Sequence, residues 1–428
     1  MNYENSENLK PMMHHIKYTC LLLLLMPVSV FAQDSLSLSI NDILTRIEKQ
    51  NVSLESYDLK AKSYNYKSEA ATSWMAPMVG AGTYMTPYPG QNPMADDKGS
   101  LMFQVEQDIP NFSQQKANQK AIISLGDIEY ASRDVKLNEL KAQAKSLYFG
   151  WLIALERIQV LRENEKIMQT MREVEEIRYK YNQSQLGSIF NIDAKIEENQ
   201  NMILMQEGEI SKSRAWLNSL MNQAGDTYFS IDTSEQLVFV PQAVLDTASL
   251  ADQRADIIKM EREIASMKLG VEVMKKESRP GLKIRFDHMS PLGAGMMPNS
   301  YSIMGMISIP IAPWSSKMYK NEVSAMNLEI DAMQKERQGM LLERQGMVYG
   351  MQYEILNVQK RLDNLESKII PSLKRALDAN FQSYQENKIQ LPVIIDNWEA
   401  WNMMENNLLD EKLTFYQLII DYEKELFR

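Results

Sequence analysis

The chain has 428 residues, 44% hydrophobic and 24% charged, a balance that excludes a disordered or collagen-like polymer. Its formal net charge is -10, with no basic run, which excludes the positive face of a nucleic-acid binder. One Cys and three His leave no disulfide framework and no Cys-based zinc site within the chain.

Residues 1–32 read as a signal peptide. Lys17 precedes an apolar core from Cys20 to Met26, and Val30-Phe31-Ala32 predicts cleavage before Gln33. Residues 1–11 are polar, so Met12 or Met13 is a second candidate start, and Cys20 lies too early in the apolar run to be a lipidation site. No other stretch offers the ~20 apolar residues of a spanning helix, so any membrane crossing falls to β-strands.

The rest reads as one unit written twice, residues 33–223 and 247–428, joined by a linker at 224–246. Helical stretches open at Asn51 and, 203 positions on, at Arg254; they stop at Pro77 and Pro280, again 203 apart. Hairpins follow at 78–109 and 282–309, closed by Ile109-Pro110 and Ile309-Pro310. Phe103, Val105 and Ile109 alternate with Gln104, Glu106 and Asp108, and Leu282, Ile284 and Phe286 with Lys283, Arg285 and Asp287. A period of two gives one apolar and one charged face. Strands of about nine residues suit a tilted membrane strand, which needs ~9–11. Four strands alone leave open edges, which closure with strands from other copies removes. Tyr84, Tyr88, Tyr301 and Trp314 near the strand ends fit an interfacial girdle.

Long helical regions follow at 113–222 and 315–427, each with one turn. The first arm runs to about Gln183 and the second to about Glu386; about 70 residues at ~1.5 Å each reach ~105 Å, too long for a globular core. Such helices are expected to lie side by side in a tall bundle or tube. Met260, Met267 and Met274 recur every seven residues, as do Met326, Met333, Met340 and Met347, which predicts a supercoiled seam of adaptable side chains. Glu173, Glu175 and Glu176 with Arg172 and Arg178 read as a solvated face. At the turns, Tyr181 precedes Asp193 by 12 residues and Tyr384 precedes Asp396 by 12, which restores the offset of 203. In the linker, Tyr228–Ile231 and Gln236–Val240 read as short strands. The fold class is mainly α with a small β part.

On this duplicated layout, three segments resemble the TolC family of outer-membrane efflux channels. Glu277–Leu282 is similar to the family's helix-to-strand junction, Ser308–Ile311 to its strand-to-helix junction, and Tyr384–Asp396 with Ala400 to its periplasmic turn. The resemblance runs from about Leu36 to Phe427. It implies a homotrimeric α-helical barrel capped by a 12-stranded transmembrane β-barrel, set in outer-membrane lipid of a Gram-negative bacterium and reaching into the periplasm. It also implies a passive exit duct for small molecules or metal ions, without cofactor or catalysis. A periplasmic adaptor (membrane fusion) protein would join it to an inner-membrane pump of the RND type. Residues 224–246 would belong to an equatorial belt. The adaptor-facing tips would be Ser184, Gly187 and Ser188 in one repeat and Asn387, Lys388 and Gln390 in the other. The family often has Gly three residues after the turn Tyr. Counted from Tyr181 and Tyr384, Ser184 and Asn387 stand there, and only Asn suits a left-handed backbone. Some relatives place two carboxylates, three residues apart, at the closing end of the pore. Asp396 matches the later one and Val393 replaces the earlier. In a trimer Asp396 would form a cation-attracting ring, with Asp193 as its first-repeat counterpart. The plainer reading of both is a carboxylate favoured near a helix N-terminus.

The segment from His288 to Met297 also reads as a soft-metal site, because thioether sulfur selects Cu(I) and Ag(I). Met289, Met296 and Met297 are its candidates, with Met75, Met78, Met85 and Met94 nearby; packing and mobile loops are the plainer account. Some TolC-like channels serve copper and silver pumps, so the heavy-metal branch is a further implication of the resemblance. There is no Gly-rich phosphate loop and no nucleophile elbow, and His288 has few partners for a triad. Two other readings stand beside the duct: a periplasmic coiled-coil scaffold, and a Met-based Cu(I)/Ag(I)-binding protein without a pore.

Overall fold

The computed structural model describes residues 37–427, apart from 93, 95–97, 243–245, 294–297 and 310–312. The signal-peptide reading, Met296 and Met297 lie outside the described residues.

The described chain opens with β1 (Ser37–Leu38) and α1 (Ile40–Gln50). Ser39 starts α1 with a reciprocal cap: its hydroxyl accepts from the Asp42 amide at 3.2 Å, and the Asp42 carboxylate accepts from the Ser39 amide at 3.1 Å. Asn51 caps α2 (Val52–Ala70), which leads into the hairpin β2 (Met78–Tyr84) and β3 (Ser100–Ile109). Asn111 caps the 69-residue α3 (Phe112–Lys180), whose length is ~104 Å. The chain returns in α4 (Leu186–Leu220), and β4 (Ser230–Ile231) pairs in parallel with β1. After α5 (Thr247–Gln253) the order recurs: α6 (Ala255–Glu277), β5 (Gly281–Pro291), β6 (Ser300–Ser308), α7 (Pro313–Asn364), α8 (Ile370–Gln385) and α9 (Leu391–Glu425). No helix among the described residues is long and apolar enough to cross a membrane.

Two local expectations are corrected. Residues 236–240 form no strand: Leu237 and Phe239 pack on the helical core instead, and Phe239 meets Tyr422 edge-on at 5.3 Å. The second long helix is interrupted by a π-helical turn, Leu365–Ile369, between α7 and α8. Pro371 explains it, since it lacks an N–H and its ring crowds the carbonyl four residues back; a wider turn absorbs both defects.

The duplication extends to the anchoring of each returning helix. Asn51 is buried, and its Nδ2 donates to the Leu220 carbonyl at the end of α4, at 2.9 Å. Arg254, 203 positions on and 2% exposed, donates through Nη1 to the Glu425 carbonyl at the end of α9, at 2.6 Å. Different side chains thus do the same work at matching positions. Arg254 also holds the Asp256 and Glu425 carboxylates at 2.6 and 2.9 Å.

Helix α3 packs against α2, α4, α6 and α9. A Cβ at Gly126 would lie 3.3 Å from the Ala61 carbonyl, so glycine permits the close approach of α2 and α3. Four of the heptad methionines lie in one seam: Met260, Met267, Met326 and Met333 pack around Ile264, Val271 and Ile330.

The sheet has the order β2-β3-β5-β6, antiparallel throughout. One face carries Phe103, Val105, Leu282, Ile284, Phe286 and Ile303, all at least partly exposed. The other carries a charge ladder, with Lys283 2.7 Å from Glu106 and 3.3 Å from Asp108, and Arg285 2.8 Å from Asp287. Tyr301 stacks on Phe286 at 6.1 Å on the apolar face, whereas Tyr84 stands on the charged face. Within the sheet, β2 and β6 each have one neighbour and so present an unpaired edge.

Replacing Arg254 takes the ion-pair partner from Asp256 and leaves Glu425 only the longer contact with Arg344, at 3.4 Å. Arg254→Met is expected to cost about 3 kcal/mol, read as a lower urea midpoint for loss of the helical circular-dichroism signal. A midpoint equal to the wild type would contradict the anchoring role.

Candidate functional site

The end of the molecule remote from the sheet consists of two helix tips. At the first, the Gln183 amide donates to the Arg178 carbonyl at 2.8 Å and Asn182 has φ 58°. At the second, the Lys388 amide donates to the Ser383 carbonyl at 2.9 Å and Asn387 has φ 60°. Both are helix ends closed by a left-handed residue, which Asn tolerates. The matching residues, Asn182 and Asn387, are 205 positions apart. The far ends of the returning helices agree, with Asn222 at φ 58° and Phe427 at φ 57°.

This register corrects the offset of 203 at the turns. Tyr384 corresponds to Tyr179, not Tyr181, and Asp396 to Asn191, not Asp193. The left-handed position of the first tip falls on Asn182, so Ser184 is not asked to adopt it.

Ser184 is instead half-buried, and its hydroxyl donates to Glu175. Glu175 is 2% exposed, and its other oxygen accepts from the Tyr384 hydroxyl at 2.5 Å. Arg178 lies 3.6 Å from that oxygen, sits 3.9 Å from the centroid of the Tyr384 ring, and donates to the Tyr384 carbonyl. Burial pushes the Tyr384 phenol well above its ordinary value, and the hydrogen bond to Glu175 adds to the shift, so Tyr384 stays a donor. A buried carboxylate survives only with such partners. They come from α3, the first tip and the end of α8, and the cluster therefore latches one tip to the other. A core of Met168, Met171, Ile192, Ile394, Trp398 and Trp401 adjoins it. In that core the buried Asn164 donates to Asn402 at 2.7 Å and accepts from the Trp398 indole at 3.2 Å.

Sequence reasoning assigned Glu175 and Arg178 to a solvated face. That holds better for Arg172 and Glu176, which pair at 2.7 Å and are half-exposed. The missed signal was spacing: Leu161, Asn164, Met168, Met171, Glu175 and Arg178 are all buried and alternate by three and four along α3, so the two charges continue the seam.

The remaining candidates divide. Gly187, Asn387, Lys388 and Gln390 are exposed at the tips, Ser188 is half-buried, and Lys388 pairs with Glu386 at 2.5 Å. Asp193 is held by Arg172 at 2.5 Å. Asp396 is exposed and makes no hydrogen bond or ion pair with a described residue. It lies in the second turn of α9, which has no acidic residue in its first turn, so attraction to the helix N-terminus does not account for it. Its side of α9 is opposite Ile394, about 200° round the helix from that buried residue. On the sheet, Met289 lies on the charged face and His288 on the apolar one; its partner candidates Met296 and Met297 lie outside the described residues.

Neither a family model nor a curated protein sequence matches the chain. Solved structures do. The outer-membrane channel OprN superposes with a TM-score of 0.71 at 15% identity, over 90% of this chain and 89% of that one. CusC, described for its folding and transmembrane channel formation, gives 0.72 at 15% identity over 90% and 91%. The open state of the Neisseria gonorrhoeae MtrE outer membrane channel gives 0.68 at 16% over 91% and 88%. The chain therefore has the fold of the TolC-type outer-membrane channels, a mostly helical body bearing a small sheet.

Half-buried Glu405 on α9 yields a pH prediction. Burial raises its pKa; Lys374 opposes the shift and Glu163 adds to it. A raised folded-state pKa gives stability that is full below the ordinary value of 4.5 and is lost as pH rises through the folded value. Glu405→Gln should raise the unfolding midpoint near pH 8, with the gain vanishing at about pH 4. An equal gain at both would contradict the assignment.

Proposed function

We propose that three copies of this chain form an exit duct through the outer membrane of a Gram-negative bacterium. The observation that carries this reading is the sheet. It has an apolar face suited to lipid, a charged face suited to water, and two open edges. Three such sheets joined edge to edge make a closed barrel of 12 strands, which satisfies every backbone group in hydrocarbon. Helices about 100 Å long then continue the barrel as a tube through the periplasm.

In this reading the chain divides into two repeats, 33–223 and 247–428, with residues 224–246 as a belt at mid-height. Transport is passive, and control lies in opening the tips. The Glu175–Arg178–Tyr384 latch keeps each protomer's two tips together. Asp396, unpaired and one per chain, supplies a ring of three carboxylates, and Asp193, neutralised by Arg172, adds none. An adaptor protein would meet the exposed Gly187, Asn387, Lys388 and Gln390 together with Ser188, and link the duct to an inner-membrane pump of the RND type. Small molecules or metal ions would be the cargo.

Single-channel recording in planar bilayers tests this. The wild type should give small, cation-selective openings, since carboxylate rings attract cations. Asp396→Ala should lose much of that selectivity, and Tyr384→Phe should raise conductance by loosening the latch. A folded protein that never inserts, or selectivity untouched by Asp396→Ala, would contradict the duct or the ring respectively.

A further inference from the structure

The described strand methionines are segregated by face. Met78, Met102, Met289, Met304 and Met306 all point to the charged side of the sheet, although that face carries the Glu, Asp, Lys and Arg side chains. Leucine, isoleucine, valine and phenylalanine occupy the opposite side, apart from Ile and Leu residues outside the strands. Were these methionines present for apolar burial, the apolar face would hold them. What distinguishes them from leucine on the wet face is the sulfur, a soft and polarizable donor.

Two of these sulfurs belong to one rung. Met102 on β3 is the direct cross-strand partner of Met289 on β5. The rung continues to Gly82 on one side and Ser300 on the other, both small, and Met102 and Met289 are themselves half-buried. Directly opposed residues hold their Cβ atoms about 4.5–5.5 Å apart, within which two flexible thioethers can converge on one ion. In the next rung Gln104 faces Asp287, and the Asp287 carboxylate, 4% exposed, is held by Arg285. That ion pair is neutral overall, so the site rests on the two sulfurs rather than on added charge. Among the described residues there is no cluster of three His, Cys, Asp or Glu side chains to hold a harder ion.

We propose that Met102 and Met289 form a thioether site for a soft monovalent cation, Cu(I) or Ag(I), in the lumen of the duct. Only its place in a lumen rests on the duct reading, because the pair is complete within one protomer. Met289 was legible as a candidate in the sequence; its partner comes from the other hairpin, which register alone identifies.

The probe is Ag(I), added to the purified full chain in chloride-free detergent buffer and counted per chain after gel filtration. The Met102→Leu/Met289→Leu variant, close to the wild type in volume, is expected to lose one bound ion per chain. Met267→Leu/Met326→Leu in the helical seam should retain it. Equal silver in the wild type and the sheet variant, or none in the wild type, overturns the site. Methyl-13C-methionine spectra of the wild type give a test that needs no variant to fold: the Met102 and Met289 methyls should move first, and movement confined to other methionines overturns the proposal. Bilayer conductance of the same preparations separates the two readings. Conductance without silver binding removes the site and leaves the duct; silver binding by a protein that forms no channel removes the duct and leaves the site.

Discussion

A sheet edge cannot end in hydrocarbon, because unpaired N–H and C=O groups cost several kcal/mol each where water is absent. The four-stranded sheet of this protein has two such edges, β2 and β6. Its apolar face suits lipid and its opposite face bears a charge ladder, so it is neither half of a soluble sandwich nor buried under helices. Once the sheet is set in a membrane, edge pairing with further copies becomes obligatory. In the proposed trimer, that pairing would fix the symmetry, and the symmetry would turn Asp396 into a ring of three.

The helical part answers a different constraint. A helix of 69 residues has no globular core to lie in, so it draws stability from seams along its length. Those seams change character with height. Near the sheet they are methionine-rich, at mid-height they are aromatic and aliphatic, and near the tips they take in Asn164, Glu175 and Arg178. Polar seam residues cost stability but select one register. The latch places such residues where two tips must find each other. The asymmetry between repeats also has a use. Asn51 and Arg254 do one anchoring task, yet Asp396 corresponds in the repeat to a neutral Asn191, so in the proposed duct the two repeats would contribute unequally at the tips.

Much of this was legible in the sequence. The alternation Leu282-Lys283-Ile284-Arg285-Phe286-Asp287 gives the sheet its two faces, and heptad methionines give the seams. The helix–hairpin–helix order follows from proline placement and spacing. What escaped was register. Tyr181 and Tyr384 look equivalent as letters, but left-handed Asn182 and Asn387 define the true match. Glycine is the usual marker of such a helix end, and here asparagine takes its place. The π-helical turn before Pro371 was missed for a related reason: a helix that continues past a proline shows no break in pattern. Glu175 and Arg178 were obscured by their charge, since residue type argued for solvent while spacing argued for burial. The Met102–Met289 pair joins strands from separate repeats, and no local pattern records that pairing.

Disulfide trapping at the sheet edges tests the central claim most directly. Within one chain β2 and β6 are separated by β3 and β5, roughly 14 Å at ~4.8 Å per strand, beyond the Cα separation a disulfide allows. The only native Cys is Cys20, within the predicted signal peptide, so introduced pairs have a clean background. Cysteines at Val79, Ala81 or Thr83 combined with cysteines at Ile303, Gly305 or Ile307 should, in outer-membrane fractions, give covalent species that stop at three chains. Monomers alone at every pairing, or ladders that end at two or run past three, would contradict the closed threefold barrel.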